Sequence, residues 1–354
     1  MNLWSQLYRG QTRFDFVGPR RRWFMVSAVL LTASLIGVGW RGFNLSVDFR
    51  GGTLVDAANP VGASVAEVRR ALGRVGLEGS QVQLLSGGEG IRVQTGPLPA
   101  GVEATLVESV AEAAGVQPSE VSLDTVGPTW GGQITRQAGR ALIFFLAAVS
   151  VFITLRFEWK MAATALVALV HDLVLTAGVY ALSGLEVAPA TVIAVLTILG
   201  YSLYDTVVVF DKILENTEEL GERVPYSEIV NRSMNQVLMR SINTSLTSLL
   251  PVGSLLFVGS FLLGASTLRV FALALFIGIA SGTYSSIFVA APLLAAWKER
   301  EARWERLRRR VGRRDEVEWS TAERVDRPEP ALARPPAAGA AAPRPPRQRR
   351  RKRR

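Results

Sequence analysis

The sequence predicts an α-helical membrane protein that crosses the bilayer six times and carries an α+β domain between its first and second spans. Two observations predict this class. Hydrophobic residues make up 49% of the 354 residues, and they are gathered in long uncharged runs instead of being spread at amphipathic spacing. A helix needs about 20 predominantly apolar residues to span a bilayer, and six runs qualify: 22–40, 139–156, 161–182, 189–211, 237–260 and 268–297.

The first run follows three arginines, Arg20 to Arg22, and therefore also has the features of a secretory signal peptide. However, it ends at Trp40 and Arg41 without the small residues of a cleavage site, and five more apolar runs follow. We interpret it as an uncleaved transmembrane anchor.

The distribution of Lys and Arg predicts the orientation. Loop 156–160 and the segment 212–240 are basic, whereas loop 183–188 holds no Lys or Arg, so basic and non-basic loops alternate. Both termini are then expected on the cytoplasmic side of the cytoplasmic (inner) membrane. The expected parts are an N-terminal segment 1–21, a first helix 22–41, an outward domain 42–138, five helices within 139–297, and a tail 298–354.

The outward segment has the pattern of a folded α+β domain. Apolar alternation runs from Leu45 to Val55, and two short alternating runs at 82–85 and 91–93 flank a Gly-rich turn. Helix-like stretches cover 64–72 and 102–113, and a last strand is expected at 121–126. The order strand, helix, strand, strand, helix, strand is that of a ferredoxin-like domain.

The composition excludes cysteine chemistry and indicates a disordered tail. The chain has no cysteine, so disulfides, metal–thiolate centres and a Cys nucleophile are excluded.

The tail 298–354 is rich in Arg, Ala and Pro and carries the excess positive charge behind the formal net charge of +10. Anionic lipids are its nearest expected partner, with ribosomal RNA as a weaker alternative and a solvated, topology-fixing tail as the simplest one. A nucleic-acid-binding fold is not expected.

Asp205 is the main functional candidate because it lies inside the fourth apolar run. An ionised carboxylate at membrane depth costs at least a few kcal/mol unless a partner compensates it. Arg240, near the start of the fifth run, is expected at similar depth on an antiparallel neighbour, and the sequence therefore predicts an Asp205–Arg240 pair. In the simpler alternative, Arg240 extends to the cytoplasmic interface.

Arg240 also belongs to a polar face on the fifth run. Polar residues recur there at three- and four-residue steps, which places them on one side of a helix, and such a face is expected inside the bundle. Its members are Arg240, Asn243, Thr244, Thr247, Ser248 and Pro251.

Asp172 is a second ionisable candidate, in the middle of the third run and beside His171. Adjacent helix residues point about 100° apart, so we expect Asp172 to line the pathway and His171 to hydrogen-bond nearby. Both residues could instead have a purely structural role. Asp172 would then be a carboxylate paired with a neighbouring group, and His171 a buried imidazole with its hydrogen bonds made. Asp211 is expected at the membrane interface.

The sixth run carries small residues at four-residue spacing, among them Gly278 and Gly282. Small residues on one stripe allow helix backbones to approach closely, so the stripe predicts helix packing without chemistry.

Four stretches together resemble the SecF family of protein-export membrane proteins in the bacterial Sec machinery, over residues 10–297. The most specific begins at Gly200 and ends at Asp211, reading GYSLYDTVVVFD. The others are VDFRGGT at 47–53, the pair His171–Asp172, and GTYSSIF at 282–288. The family usually has Asn before the signature Asp, where this chain has Tyr204, a bulkier side chain with a single hydroxyl.

The resemblance implies one half of a resistance-nodulation-division type transporter, paired with SecD, which supplies six further helices. The pair is implied to associate with the SecYEG channel, with YajC-type and YidC-type subunits, and with the translocating preprotein, and to use the proton-motive force for translocation. The family's transport residues map to Asp172, Asp205 and Arg240, with His171, Tyr204, Thr206, Thr244 and Thr247 as supporting polar groups. It implies a non-enzymatic transport component without cofactor or metal.

Two other classes are compatible with buried carboxylates. A small-molecule or lipid exporter of the same superfamily normally holds both six-helix halves in one chain. An intramembrane aspartyl protease needs two carboxylates that share a proton, a role open to Asp172 and Asp205, but its motif is Gly-x-Gly-Asp and Arg240 would keep Asp205 ionised.

Overall fold

Six helices in the described part of the chain are long and apolar enough to cross a membrane, and an α+β domain lies between the first and the second. The predicted fold class is thereby confirmed. The structure is a computed structural model that describes residues 14–99, 101–221, 223–261 and 266–311. The predicted disorder of the tail falls largely outside these residues. A compact unit ends at Arg308, and the description below concerns this unit alone.

Helix α1 (Arg20–Arg41) leads into the domain, whose four main strands form an antiparallel sheet. Their order is β3 (Gln81–Leu85), β4 (Gly90–Thr95), β2 (Gly52–Ala58) and β5 (Ser122–Val126). This order and the two intervening helices are those of the predicted ferredoxin-like unit. Its core is made of fully buried apolar side chains from both layers, including Val55, Leu72, Ile91 and Leu106. The elements are α1 (Arg20–Arg41), β1 (Asn44–Leu45), α2 (Val47–Arg50), β2 (Gly52–Ala58), α3 (Val65–Arg74), β3 (Gln81–Leu85), β4 (Gly90–Thr95), α4 (Val102–Ala114) and β5 (Ser122–Val126).

The start of the domain differs from the sequence prediction. The alternation from Leu45 to Val55 predicts one strand, but the structure divides it into β1, the single turn α2 and β2. The reason is the pair Gly51 and Gly52, which have positive φ angles of 75° and 138° that an extended strand does not use. At Gly52, a Cβ would also lie 2.2 Å from the carbonyl oxygen of Thr95, so the sheet can close only over a glycine.

Five spans follow the domain. The fourth and fifth membrane-spanning helices extend beyond their apolar runs by two to three turns. The sixth span contains a π-helical turn, Ser286–Ala290, between α9 and α10. The elements are α5 (Pro128–Arg156), α6 (Trp159–Ser183), β6 (Glu186–Val187), α7 (Pro189–Leu220), α8 (Tyr226–Phe261), α9 (Ser266–Ser285) and α10 (Ala291–Lys298).

The spans alternate in direction, which defines two sides of the bundle. We call the side that bears the α+β domain the domain side, and the side on which α1 begins and α10 ends the terminal side. At the domain side, β6 joins α6 to α7 and pairs in parallel with β1. The predicted loop 183–188 therefore contains a short strand that touches the domain.

Candidate functional site

Asp205 lies on α7 with its side chain buried among α8 and α9, and it is 8% exposed. Its Oδ1 accepts a hydrogen bond of 2.8 Å from the hydroxyl of Ser241 on α8. Its Oδ2 is buried and has no hydrogen-bond partner among the described residues. A buried carboxylate oxygen without a donor is costly as an anion. The position is therefore suited to receive a proton or a water molecule.

A small cavity of about 20 Å³ lies beside Asp205. This volume admits about one water molecule. Six of the residues that line it carry a hydroxyl group. They come from α7, α8 and α9: Tyr201, Ser202, Thr244, Ser245, Ser248 and Thr283.

The cavity extends from Asp205 toward the domain side. Helix α8 runs from the terminal side to the domain side, so Ser245 and Ser248 lie one and two turns beyond Ser241 in that direction. Helix α7 runs the opposite way, so Tyr201 and Ser202 also lie on the domain side of Asp205.

Asp172 on α6 is fully buried, and its carboxylate has a full set of hydrogen-bond partners. Oδ2 accepts from Ser202 at 2.5 Å and from Ser285 at 2.7 Å. Oδ1 accepts from Ser281 at 2.9 Å and lies 3.2 Å from Nδ1 of His171. A carboxylate offers about four acceptor positions, and all of them are used.

The two carboxyl groups therefore differ in kind. Asp172 is held by donors from three helices, whereas Asp205 has one donor and one open oxygen. Ser202 connects them, because its hydroxyl binds Asp172 and it also lines the cavity beside Asp205. This chain of polar groups crosses α6, α7 and α8 at one depth of the bundle.

Arg240 does not form the predicted ion pair. Its guanidinium donates to the hydroxyl of Tyr204 at 3.1 Å on the exposed side of α7 and α8, and no ion pair within 4 Å links it to Asp205 in the described residues. Arg240 and Ser241 are consecutive and point about 100° apart. Because Ser241 faces Asp205, Arg240 is directed away from it.

The predicted polar face of α8 is only partly inside the bundle. Thr244 and Ser248 are half-buried at the cavity, but Arg240, Asn243 and Thr247 are exposed in this chain. The hydroxyl of Thr247 donates to the carbonyl oxygen of Asn243 at 2.8 Å within its own helix. The expectation that the whole face lies in the bundle of this chain is therefore wrong.

The other predicted residues have clear positions. Thr206 is buried and its hydroxyl lies 2.9 Å from that of Ser286. His171 is buried, its Nε2 has no partner among the described residues, and its ring stacks on Tyr284 at 6.0 Å. Asp211 pairs with Arg156 at 2.9 Å at the exposed terminal-side end of its span.

The small residues of α9 lie against α7. A Cβ on Gly278 would lie 2.3 Å from Cδ1 of Ile198, and one on Gly282 would lie 2.8 Å from Cβ of Ser202. The close approach at Gly282 brings Ser202 into line with Ser281 and Ser285 around Asp172.

Sequence reasoning missed the serines that hold the two carboxyl groups. Ser281 and Ser285 lie four residues apart on α9, and Ser241 and Ser245 do so on α8, so each pair shares one helix face. That spacing inside apolar runs was the available signal. Within the described residues, no three His, Cys, Asp or Glu side chains lie together in a way that would hold a metal ion.

Comparisons with known proteins give consistent results. Residues 106–300 match the family described as protein export membrane protein SecD/SecF, C-terminal, and residues 41–57 match the SecD/SecF GG motif. The chain is similar to the protein translocase subunit SecF of Streptomyces coelicolor, with 41% identity over 87% of this chain and 83% of that protein. The corresponding subunit of Mycobacterium tuberculosis is 45% identical over 84% of this chain and 70% of that protein.

A solved structure is also similar. The crystal structure of SecDF, a translocon-associated membrane protein from Thermus thermophilus, superposes with a TM-score of 0.75 at 38% identity. The match covers 85% of this chain and 40% of that one. This chain therefore spans less than half of the solved protein.

Proposed function

Because this chain belongs to the SecF family of protein-export membrane proteins, we propose that it is an accessory subunit of the Sec preprotein translocase. In this proposal it uses the proton-motive force to promote translocation across, and release from, the cytoplasmic membrane. The domain side faces outward and both termini are cytoplasmic, as the distribution of Lys and Arg indicates.

The observation that carries the proposal is that Asp205, whose buried Oδ2 has no hydrogen-bond partner among the described residues, lines a cavity with room for one water. The cavity lies on the outward side of Asp205, the side from which the proton-motive force supplies protons. A small movement of the Asp205 side chain would let a water in this cavity hydrogen-bond to Oδ2 and deliver a proton to the carboxylate. An intramembrane carboxylate in a polar path is a general mark of a proton relay.

Protonation of Asp205 removes a buried charge and so changes the arrangement of α7, α8 and α9 that is most stable. One proton that crosses 100 mV releases about 2.3 kcal/mol, which is a useful fraction of the energy needed to shift a two-state equilibrium. Asp172, with its four partners, holds the helices together while Asp205 gains and loses its proton. Ser202 gives the two carboxyl groups a shared neighbour.

We assign the partner half, SecD, to the exposed polar face of this chain. Tyr204, Arg240, Asn243 and Thr247 are exposed on α7 and α8 at membrane depth. Polar side chains at that depth are normally covered by protein or face water. A relative from Thermus thermophilus is named SecDF, and this chain matches 39% of it at 40% identity. In this proposal the helices of SecD pack against this face, close to Arg240.

Further partners belong to the same proposal. They are the SecYEG channel, YajC-type and YidC-type subunits, and a translocating preprotein at the outward domain. Anionic lipids are assigned to the basic segment 298–354.

The proposal is tested by preprotein translocation into inverted membrane vesicles that contain SecYEG and SecD, with or without this chain. Each preparation is assayed with an intact proton gradient and after an ionophore has collapsed it. We expect the chain to add a gradient-dependent increment and to leave the ATP-driven part unchanged. An increment of the same size in vesicles that lack the chain would refute the proposal.

A further inference from the structure

The hairpin that joins the two aspartate-bearing helices is attached to the α+β domain. Helix α6 carries Asp172, helix α7 carries Asp205, and β6 between them pairs in parallel with β1 of the domain. The backbone N–H of Ser46 donates to the carbonyl oxygen of Val187 at 3.0 Å. Movement of this hairpin is therefore passed directly to the domain. We call this contact the joint.

A cluster of charged side chains surrounds the joint. Arg92 of β4 donates to both carboxylate oxygens of Asp56, at 2.7 and 2.6 Å, and its guanidinium lies 3.6 Å from Oε2 of Glu186 in β6. The side chains of Arg92 and Glu186 are 13% and 14% exposed. Asp48 of α2 is also close enough to repel Glu186 through its negative charge. Arg92 is thus shared between the domain and the hairpin.

Negative charge exceeds positive charge in this cluster. The charges of Asp48 and Asp56 act on Glu186, and those of Asp56 and Glu186 act on the guanidinium of Arg92. Hydrogen bonding to Asp56 raises the pKa of Arg92, so it stays a cation. Arg92 is already bound in bidentate fashion by Asp56, and Glu186 is left with the longer contact. The charge of Glu186 is therefore less well compensated than that of Asp56.

We propose that Glu186 is a positioning residue that makes the joint tighten when the proton concentration on the domain side rises. Its role in export depends on the proposed function, because the proton gradient is what acidifies that side. Protonation of Glu186 weakens its 3.6 Å contact with Arg92, but it leaves the bidentate Arg92–Asp56 pair intact and removes the repulsion between Glu186 and the two aspartates. The hairpin and the domain then move as one body. Deprotonated Glu186 restores the repulsion and loosens the joint.

The direction of this pH effect follows from proton linkage. Burial raises the pKa of Glu186 in the docked joint, Arg92 opposes this, and the charges of Asp48 and Asp56 add to it. The docked joint therefore binds a proton more readily than a released joint in which Glu186 faces water. Its extra stability is fully present below the ordinary pKa of Glu and is lost as the pH rises through the raised pKa. Acidification outside favours docking.

The experiment measures the distance between domain and hairpin as a function of pH. Because the chain has no cysteine, Ser119→Cys and Ser183→Cys place one spin label on the exposed surface of the domain and one at the exposed end of α6. The full chain is studied in lipid nanodiscs by double electron–electron resonance, from about pH 8 to about pH 4, which brackets the ordinary Glu range. We expect the docked population to grow as the pH falls.

Three variants make the test specific. Glu186→Gln should show the acid distribution at every pH. Asp48→Asn, which removes one repelling charge, should keep the transition but shift it to lower pH. Glu108→Gln, an exposed carboxylate on the same domain, should titrate as the parent does. The proposal is overturned if the parent does not titrate, if acid separates the domain from the hairpin, or if Glu186→Gln still titrates.

The result is separable from the proposed function. Asp205→Asn should leave this titration unchanged, because the label distances report the joint and not the cavity. An intact titration with no gradient-dependent export would contradict the proposed function alone. Gradient-dependent export that requires Asp205, with no titration at Glu186, would contradict the present inference alone.

Discussion

The hydroxyl of Ser241 on α8 donates a hydrogen bond of 2.8 Å to Oδ1 of Asp205 on α7. With Oδ1 held by α8, Oδ2 is left as the oxygen without a partner in the described residues. The contact also links α7 to α8 at the depth where a proton would arrive. Gain or loss of that proton thus acts on two helices at once.

Ser241→Ala is expected to reduce gradient-dependent export without abolishing it. Loss of a hydrogen bond to a charged group typically costs about 1.5–3 kcal/mol, so we expect a reduction of about tenfold or more in the gradient-dependent increment, measured in inverted vesicles. Ser254→Ala on the exposed side of the same helix, where the hydroxyl binds its own helix at Leu250, is the control. Equal activity of both variants would contradict the role of Ser241.

Substitutions at Arg240 and Tyr204 should separate the effect of the Arg240 charge on export from the effect of its hydrogen bond. Arg240 is the neighbour of Ser241, which binds Asp205, while its own hydrogen bond goes to Tyr204 on the exposed side. We expect Arg240→Gln to lose most of the gradient-dependent increment and Arg240→Lys to keep part of it, since a positive charge remains. Tyr204→Phe should stay near the parent level. A loss in Tyr204→Phe as large as in Arg240→Gln would show that the hydrogen bond matters and the charge does not.

The packing of α9 on α7 predicts a stability difference between two glycines. In Gly278→Ala the new Cβ would lie 2.3 Å from Ile198, and such overpacking costs about 1–3 kcal/mol. Gly200→Ala on α7 meets no atom within 4 Å, and it should be neutral or slightly stabilising because alanine is the better helix former. Thermal unfolding in detergent compares them. If Gly278→Ala unfolds no earlier than Gly200→Ala, the helices do not pack as described.

The joint can also be locked covalently. Leu45 and Val187 are register partners in the β1–β6 pair, and neighbouring strands lie within the distance that a disulfide spans. Leu45→Cys with Val187→Cys should form a disulfide under oxidation in this otherwise cysteine-free chain. We expect oxidation to abolish the gradient-dependent increment and a reductant to restore it. Undiminished export by the oxidised form would show that the hairpin and domain need no relative movement.

Periodicity and run length were enough to predict the large elements of the fold. Six apolar runs gave the six spans, and the alternation of short strands with two helices gave the ferredoxin-like domain. The segment at Val47 was misjudged because the alternation there is that of a strand, while Gly51 and Gly52 impose a turn. The pairing of β1 with β6 was not predictable, because it joins segments about 140 residues apart with two residues in each strand.

The depth of Asp205 and Asp172 was predictable, but their partners were not. Depth follows from position along an apolar run, whereas a partner depends on the rotation of the neighbouring helix about its own axis. Rotation of α8 by about 100°, the angle between consecutive helix residues, would place Arg240 instead of Ser241 opposite Asp205. The serines around Asp172 come from α7 and α9, and close packing at Gly282 sets their convergence. Such packing depends on the whole bundle.

The most direct measurement is the gradient-dependent increment of preprotein translocation in vesicles that carry Asp205→Asn together with SecD and SecYEG. The matched control is Asp211→Asn, which changes an exposed carboxylate two turns away on the same helix, paired with Arg156 at the membrane surface. If Asp205 carries the proton, Asp205→Asn eliminates the increment at every imposed gradient and spares ATP-driven translocation, while Asp211→Asn keeps it. An undiminished increment in Asp205→Asn would contradict the central claim.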